Sequence, residues 1–164
     1  MMLVHSTNQS PFSNEMFYRR ATADDCDMLF AWANDPLTRE NSHNKAPIQY
    51  EAHVQWLQSK LDSPDCWIFL VIKDNMPVAL LRLDKKENDV LLAYSVAPEC
   101  RGKGIGTEAI AMLPAIIKNE NIQCERIVAD VYKSNIASIK IFLNAGYQRH
   151  ENDEYYTFIK HIES

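Results

Sequence analysis

Hydrophobic positions recur along this chain with two different periods, and the two periods predict strands and helices. Short apolar runs bounded by turn residues are typical of buried strands, whereas apolar residues three and four positions apart indicate amphipathic helices. The first pattern predicts strands at 16–21, 67–72, 78–83, 89–96, 126–132, 147–150 and 155–162. The second predicts helices at 22–34, 48–62, 104–120 and 134–146.

Local signals support several of these boundaries. Thr22 can cap the first helix, with Asp25 in its first turn near the positive end of the helix dipole. Gly146 suits the left-handed residue that closes the last helix. Pro114 lies inside the third helix and should kink it, because proline removes a backbone donor. Residues 34–47 are polar and interrupted by prolines, so they are predicted to form a loop.

The predicted order is β-α-α-β-β-β-α-β-α-β-β, which indicates a mixed sheet with helices packed on it. Nothing in the pattern divides the chain, so we predict one domain over 16–164. It follows a flexible, Ser- and Asn-rich tail at 1–15.

Composition narrows the classes of function. The net charge of −5 argues against a nucleic-acid partner, because a surface that follows phosphates needs an excess of Lys and Arg. The four cysteines show no CxxC spacing, so we expect neither a metal site nor a disulfide framework. The leader lacks a basic, apolar signal sequence, and the apolar run at 67–72 is too short to cross a bilayer. A cytoplasmic protein without a membrane partner is the expectation.

The segment RGKGIG, residues 101–106, follows a predicted strand and opens a predicted helix. Its glycines are spaced GxGxG, which fits neither the GxGxxG of a dinucleotide fold nor the GxxxxGK[ST] of a Walker loop. Glycines at a helix start let backbone N–H groups converge on an anion. Arg101 and Lys103 can complement a pyrophosphate, so the segment predicts a phosphate-binding loop.

Two motifs resemble the GCN5-related N-acetyltransferases. VAPECRGKGIGTEAI is similar to their acetyl-CoA signature [QR]-x-x-G-x-[GA], and residues 131–147 resemble their next segment through Asn135, Ser138, Ala145 and Gly146. The resemblance covers roughly 16–162 and implies an α/β (α+β) fold with a mixed, mostly antiparallel central sheet and helices on both faces. It also implies acetyl-CoA as co-substrate, held by Val96, Arg101, Gly102, Lys103, Gly104, Ile105, Gly106, Thr107, Asn135 and Phe142.

The same resemblance implies direct attack of an amine on the thioester, with the Val96 amide polarising the carbonyl. Many family members protonate the departing thiolate with a tyrosine where this sequence has Phe142. We therefore name Tyr132 and Tyr94 as candidate catalytic residues, although both could simply pack at a sheet edge and water could serve instead. No carboxylate stands out as a base, which favours an amine less basic than lysine.

Acceptor choice is expected from residues 29–57. Trp32, Asn34, Arg39 and His53 are candidate substrate-binding residues, because they can stack on a ring, form hydrogen bonds or pair with phosphate. The tryptophans could equally be core residues.

The pattern W-x-N-D-P-x-T-R, followed by H-x-x-W, loosely resembles a branch that acetylates nucleotide-linked amino sugars of the pseudaminic type. A UDP-amino sugar is therefore the predicted acceptor. A ribosomal-protein type of N-terminal acetyltransferase and a non-catalytic acyl-CoA-binding module are the alternatives, and a homodimer stays open. We also expect Gly106→Val to block the pyrophosphate while leaving the fold intact.

Overall fold

One seven-stranded sheet forms the centre of the computed structural model, which describes residues 15–163. The strand order is β1-β2-β3-β4-β5-β7-β6. All neighbouring strands are antiparallel except β4 and β5, which are parallel. The strands are β1 Met16–Arg20, β2 Cys66–Lys73, β3 Met76–Lys86, β4 Asp89–Val96, β5 Arg126–Tyr132, β6 Gln148–Glu151 and β7 Tyr155–His161. The predicted fold class, a mixed and mostly antiparallel sheet with helices, is confirmed.

Five α-helices are present in the described residues: α1 Cys26–Ala33, α2 Pro36–Glu40, α3 Tyr50–Asp62, α4 Ile105–Asn119 and α5 Ile136–Asn144. A 3-10 turn precedes α1, and Thr22 and Asp25 form a reciprocal capping box around it. Gly146 follows α5 with a φ of 86°, as predicted. The predicted tail at 1–15 lies outside the described residues except for Glu15.

The prediction of a loop throughout 34–47 is wrong, because α2 lies within it. Its proline occupies the first helical position, where a missing N–H costs nothing. The Oδ2 atom of Asp35 accepts a hydrogen bond from the Thr38 amide at 3.2 Å and so caps the helix. Helix α2 is too short to show an apolar period, which is why the pattern did not predict it.

Two separate clusters of apolar residues cover the two faces of the sheet. On one face α4 and α5 pack on Leu81, Leu83 and Phe158. On the other, α1 and α3 pack on Ile68 and Leu70. Helices therefore lie on both faces, and side chains that alternate along one strand belong to opposite sides of the molecule.

The sheet opens between its two parallel strands. Strands β4 and β5 pair only from Asp89 to Leu91, opposite Arg126 to Val128. Beyond Leu91, β4 continues to pair with β3, and β5 continues to pair with β7. The facing backbone edges of the last parts of β4 and β5 thus border a gap, which passes from one face of the sheet toward the other.

Packing of α4 predicts a stability difference between two leucines. Leu113 is fully buried, whereas Leu143 on α5 is 43% exposed. We expect Leu113→Ala to lower the free energy of unfolding by about 2–5 kcal/mol, because it leaves a cavity in the core. Leu143→Ala is the matched control and should cost less than about 1 kcal/mol. Equal losses in urea unfolding would contradict this account of the core.

Candidate active site

A continuous cavity of about 1170 Å³ runs through the gap between β4 and β5. The glycine loop, Tyr94 and Ser138 line it on the α4–α5 side. Trp56, Arg82 and Asp130 line it on the α1–α3 side. This volume exceeds the range of about 300–1,000 Å³ for a single small-molecule pocket, so two ligands can meet inside it.

The glycine loop has the backbone that its sequence predicted. Gly102 and Gly104 have φ values of 76° and 79°, a region that side chains disfavour, and Gly104 is the N-cap of α4. Ile105 is buried and fixes the helix to the core, while Thr107 lies exposed at the cavity in the first turn. Lys103 is exposed beside the loop. The free amides of the first helical turn therefore open toward the cavity.

Gly106 lies at a close packing contact and, unlike Gly102 and Gly104, not in a left-handed backbone conformation. A Cβ placed there would lie 2.9 Å from Ile141 Cδ1, 3.5 Å from Val96 Cγ2 and 3.6 Å from Tyr94 Cε2. Strand β4, helix α4 and helix α5 meet at this point. The Cδ1 atom of Ile141 is the far end of a flexible side chain and can move aside, so the expectation that Gly106→Val leaves the fold intact stays a prediction.

The end of β4 presents a backbone donor to the gap. The Ala97 amide donates to the Val78 carbonyl on β3 at 2.9 Å. Because successive amides of a strand point to opposite neighbours, the Val96 amide points away from β3 and toward β5. That edge is no longer paired with β5, so the amide can serve a ligand in the gap.

Tyr94 and Ser138 form a hydroxyl pair beside this edge. Their oxygens are 2.6 Å apart, and burial raises the pKa of the Tyr94 hydroxyl. Asn135 caps α5 by accepting a hydrogen bond from the Ser138 amide at 3.3 Å. Phe142 is 1% exposed, stacks on Phe158 and contacts Tyr94 with ring centroids 5.8 Å apart.

Tyr132, the second candidate acid, lies on the opposite face of the sheet. It shares the α1–α3 face with Asp130, two residues before it on β5. Its hydroxyl is 3.3 Å from His43 Nδ1 in the segment after α2. The structure therefore separates Tyr94 from Tyr132, which the sequence left as equivalents.

The cavity floor on the α1–α3 side combines apolar residues with two carboxylates. Asp84 is held by Lys60 at 2.8 Å and by Arg82 at 2.9 Å. Burial pushes the pKa of Asp84 upward, but its two cationic partners hold it below the usual value. Asp130 is exposed and accepts a hydrogen bond from Thr157 at 2.8 Å. It forms no ion pair with any described residue, so a cationic ligand can bind there.

Two of the predicted acceptor residues use their side chains to hold backbone segments beside the cavity. The Asn34 side chain bonds both the amide and the carbonyl of Ile48, at 2.8 and 2.9 Å. Arg39 donates to the carbonyls of Ala33, Asn44 and Ala46. It also lines the cavity, where burial lowers its pKa. Most of its donors are already used, so a ligand phosphate has little to bind.

Trp32 and His53 belong mainly to the packing between helices. Trp32 is 6% exposed and lies in the core of the α1–α3 face. His53 is 3% exposed and contacts the rings of Phe30 and Trp56. Burial lowers its pKa, and its Nε2 atom is sealed from solvent without a partner among the described residues. Both residues border the cavity, but they are almost fully buried and contribute chiefly to the packing of its wall.

The sequence did not single out Asp130, Arg82 or Asp84, and it named Ser138 only as part of the motif resemblance, without a role. Asp130 is the one carboxylate in the mostly apolar strand RIVADVY, and Arg82 and Asp84 alternate with buried leucines. Polar residues at alternate positions of a buried strand were the available signal. Among the described residues no group of three or more His, Cys, Asp or Glu could hold a metal ion. No described helix is long and apolar enough to span a membrane.

A family model described as the acetyltransferase (GNAT) domain matches residues 15–148, most of the chain. The chain belongs to the GNAT acetyltransferases. The domain is accordingly an acetyl-CoA-dependent N-acetyltransferase. This assignment favours an enzyme over the alternative of a non-catalytic acyl-CoA-binding module. Acetyl-CoA is its co-substrate.

One curated relative matches most of this chain over a small part of its own length. Uncharacterized protein MJ1062 of Methanocaldococcus jannaschii is 27% identical over 144 residues, which are 83% of this chain and 28% of the relative. The chain thus spans little more than a quarter of that curated relative's length.

Two solved enzymes superpose well on the chain. AAC(6')-Ib with paromomycin and acetyl-CoA has a TM-score of 0.77 and 18% identity, covering 90% of this chain and 93% of that one. The ribosomal L7/L12 N-acetyltransferase RimL with coenzyme A has a TM-score of 0.77 and 14% identity, covering 92% and 96%. At these identities the likeness shows the fold alone, and the acceptor class is open.

Gly104→Ala tests whether the glycine loop binds coenzyme A, because the same substitution can be made at a left-handed glycine outside the cavity. Gly104→Ala adds a Cβ that meets nothing within 4 Å. The left-handed backbone should cost about 1–2 kcal/mol, and we expect weaker coenzyme A binding because the loop must relax. Gly146→Ala carries the same kind of strain at φ 86° outside the cavity lining, so it is the matched control. Isothermal titration should show lower coenzyme A affinity only for Gly104→Ala, and an equal loss in both variants would contradict this loop as the binding site.

Proposed function

We propose that the domain acetylates a primary amine of a small molecule, specifically an amino sugar, bound on the α1–α3 side of the cavity. The carrying observation is the continuous passage between the glycine loop and this acceptor side. Acetyl-CoA would place its pyrophosphate on the loop, and its pantetheine arm would lie in the gap between β4 and β5. The acetyl group would then reach the acceptor through the sheet.

In the proposed reaction the amine nitrogen attacks the thioester carbonyl carbon directly. A C–N bond forms, the C–S bond breaks and coenzyme A leaves as a thiolate. The Val96 amide stabilises the negative charge on the carbonyl oxygen, since a fixed dipole needs no reorganisation during the reaction. Holding both substrates in one cavity supplies proximity, so no covalent enzyme intermediate is required.

The Tyr94–Ser138 pair is the proposed donor to the departing sulfur. Phe142 has no proton to donate. The Tyr94 hydroxyl lies on the same α4–α5 side of the sheet as Phe142, and Tyr94 lines the cavity. The pKa of an ordinary tyrosine already lies above that of a thiol, and burial raises the pKa of Tyr94 further. The hydroxyl therefore stays protonated and stabilises the thiolate chiefly through a hydrogen bond. The proton lost by the amine can pass to the thiolate through water.

Asp130 is the proposed partner of the acceptor's ammonium group. Its carboxylate lies on the cavity floor without a cationic partner among the described residues, and Thr157 orients it. An ammonium bound there must lose a proton before attack, which is easier for an amine with a pKa near 8 than for lysine near 10.4. This argument supports an amino sugar more than a lysine side chain.

The nucleotide part of the predicted acceptor has less support than its amine. Arg39 was the expected phosphate partner, but its donors hold the loop carbonyls.

A peptide N-terminus is also less well supported as the acceptor. His43 contacts the rings of Tyr132 and Tyr155 and so narrows the far end of the acceptor side, where an extended chain would need an open groove.

Removing the Tyr94 hydroxyl should slow the reaction without weakening acetyl-CoA binding. A hydrogen bond to a charged group contributes about 1.5–3 kcal/mol, so Tyr94→Phe should lower kcat about 10–100-fold. Adding Phe142→Tyr to that variant should restore part of kcat, because the resemblance places the family's hydroxyl there. Tyr132→Phe is the control on the opposite face. A loss of kcat in Tyr132→Phe alone would reverse the assignment.

The acceptor is tested by thiol release from acetyl-CoA with a panel of amines. The panel holds kanamycin, a UDP-linked 4-amino-4,6-dideoxy sugar and a peptide with a free N-terminal serine. We expect release with one of the two sugars, and Asp130→Asn should raise its KM about tenfold, equivalent to 1.4 kcal/mol, with little change in kcat. Asp153→Asn changes the charge equally outside the cavity lining. Release with the peptide alone would overturn the amino-sugar proposal.

A further inference from the structure

An ion pair joins the acceptor side of the cavity to the glycine loop. Arg101 Nη2 donates to Asp35 Oδ2 and, at 3.2 Å, to Thr38 Oγ1. The Asp35 side chain is 15% exposed and that of Arg101 is 32% exposed. The guanidinium holds the pKa of the Asp35 carboxyl below its usual value. The pair connects two segments 66 residues apart that meet at the cavity.

At one end the pair anchors α2, which forms part of the acceptor wall. A helix of five residues is not stable by itself, because nucleation costs more than so few hydrogen bonds return. Asp35 both caps α2 and ties it to Arg101. Through this helix Leu37 and Thr38 reach the cavity.

At the other end the pair leaves part of Arg101 available. Its Nε and Nη1 atoms donate to no residue in the described range 15–163, while Nη2 serves Asp35 and Thr38. A guanidinium can bind two oxyanions along its different edges. A phosphate oxygen on the glycine loop can therefore bind Arg101 while Asp35 keeps its own contact.

We propose that Asp35 is a positioning residue that couples coenzyme A binding to the order of the acceptor wall. A pyrophosphate that fixes Arg101 also fixes the group to which Asp35 and Thr38 are bound, and α2 becomes more ordered. The coupling is reciprocal, so an acceptor that orders α2 also favours coenzyme A binding. The inference rests on the proposed binding of the pyrophosphate at this loop.

Hydrogen exchange with and without coenzyme A tests the coupling. The informative amides are those of Thr38, Arg39 and Asn41, which bond within α2 and its cap. In the wild type, saturating coenzyme A should slow their exchange about fivefold or more, the usual lower range of allosteric coupling. In Asp35→Asn the amide oxygen still caps Thr38, but the charge that holds Arg101 is lost. The response to coenzyme A should therefore largely disappear.

A merely structural role for Asp35 would give a different result, because it would speed exchange in α2 without altering the response to coenzyme A. Asp62→Asn, at the end of α3, changes the net charge equally and should respond like the wild type. Unchanged or faster α2 exchange in a wild type that binds coenzyme A would overturn the coupling alone. Failure of the wild type to bind coenzyme A would overturn the proposed function and the coupling together.

Discussion

The early end of pairing between β4 and β5 is the constraint on which the rest of the structure depends. Parallel strands usually continue side by side, but these two share only three residue pairs before each follows its other neighbour. Backbone groups left in such a gap need partners, since an unpaired buried N–H or C=O is costly. A bound pantetheine arm, itself built of amides, can supply those partners. The sheet therefore supports the helices and also contains an opening that a ligand can occupy.

Helix α4 places its N-terminus at one end of this gap. Gly102 and Gly104 take left-handed conformations that turn the chain into the helix, and Gly106 lets α4 lie against β4 and α5. The same three glycines thus place the helix N-terminus and fix its distance from the gap. The positive end of the helix dipole and the start of the gap are held together by packing, so the loop and the strand border the same cavity.

Periodicity predicted most of the fold because strands and long helices repeat their apolar positions many times. It failed for α2, where a capping aspartate and a proline start a helix without any apolar period. The glycine loop at the start of α4 could be predicted from glycine spacing because its conformation resides in the backbone, whereas its binding of coenzyme A stays a prediction. The acceptor side could not, because a polar residue such as Asn34 looks the same whether it binds a ligand or a loop carbonyl. Asp130 joins the site only through the register of β5 with its neighbours.

A crystal structure with acetyl-CoA bound would test the central claim most directly. The account predicts the pyrophosphate on the amides of residues 102–107 and the pantetheine arm between β4 and β5. It also predicts the thioester oxygen within hydrogen-bond distance, about 2.7–3.2 Å, of the Val96 amide. A coenzyme bound outside the gap, or a thioester directed away from the α1–α3 side of the cavity, would contradict it.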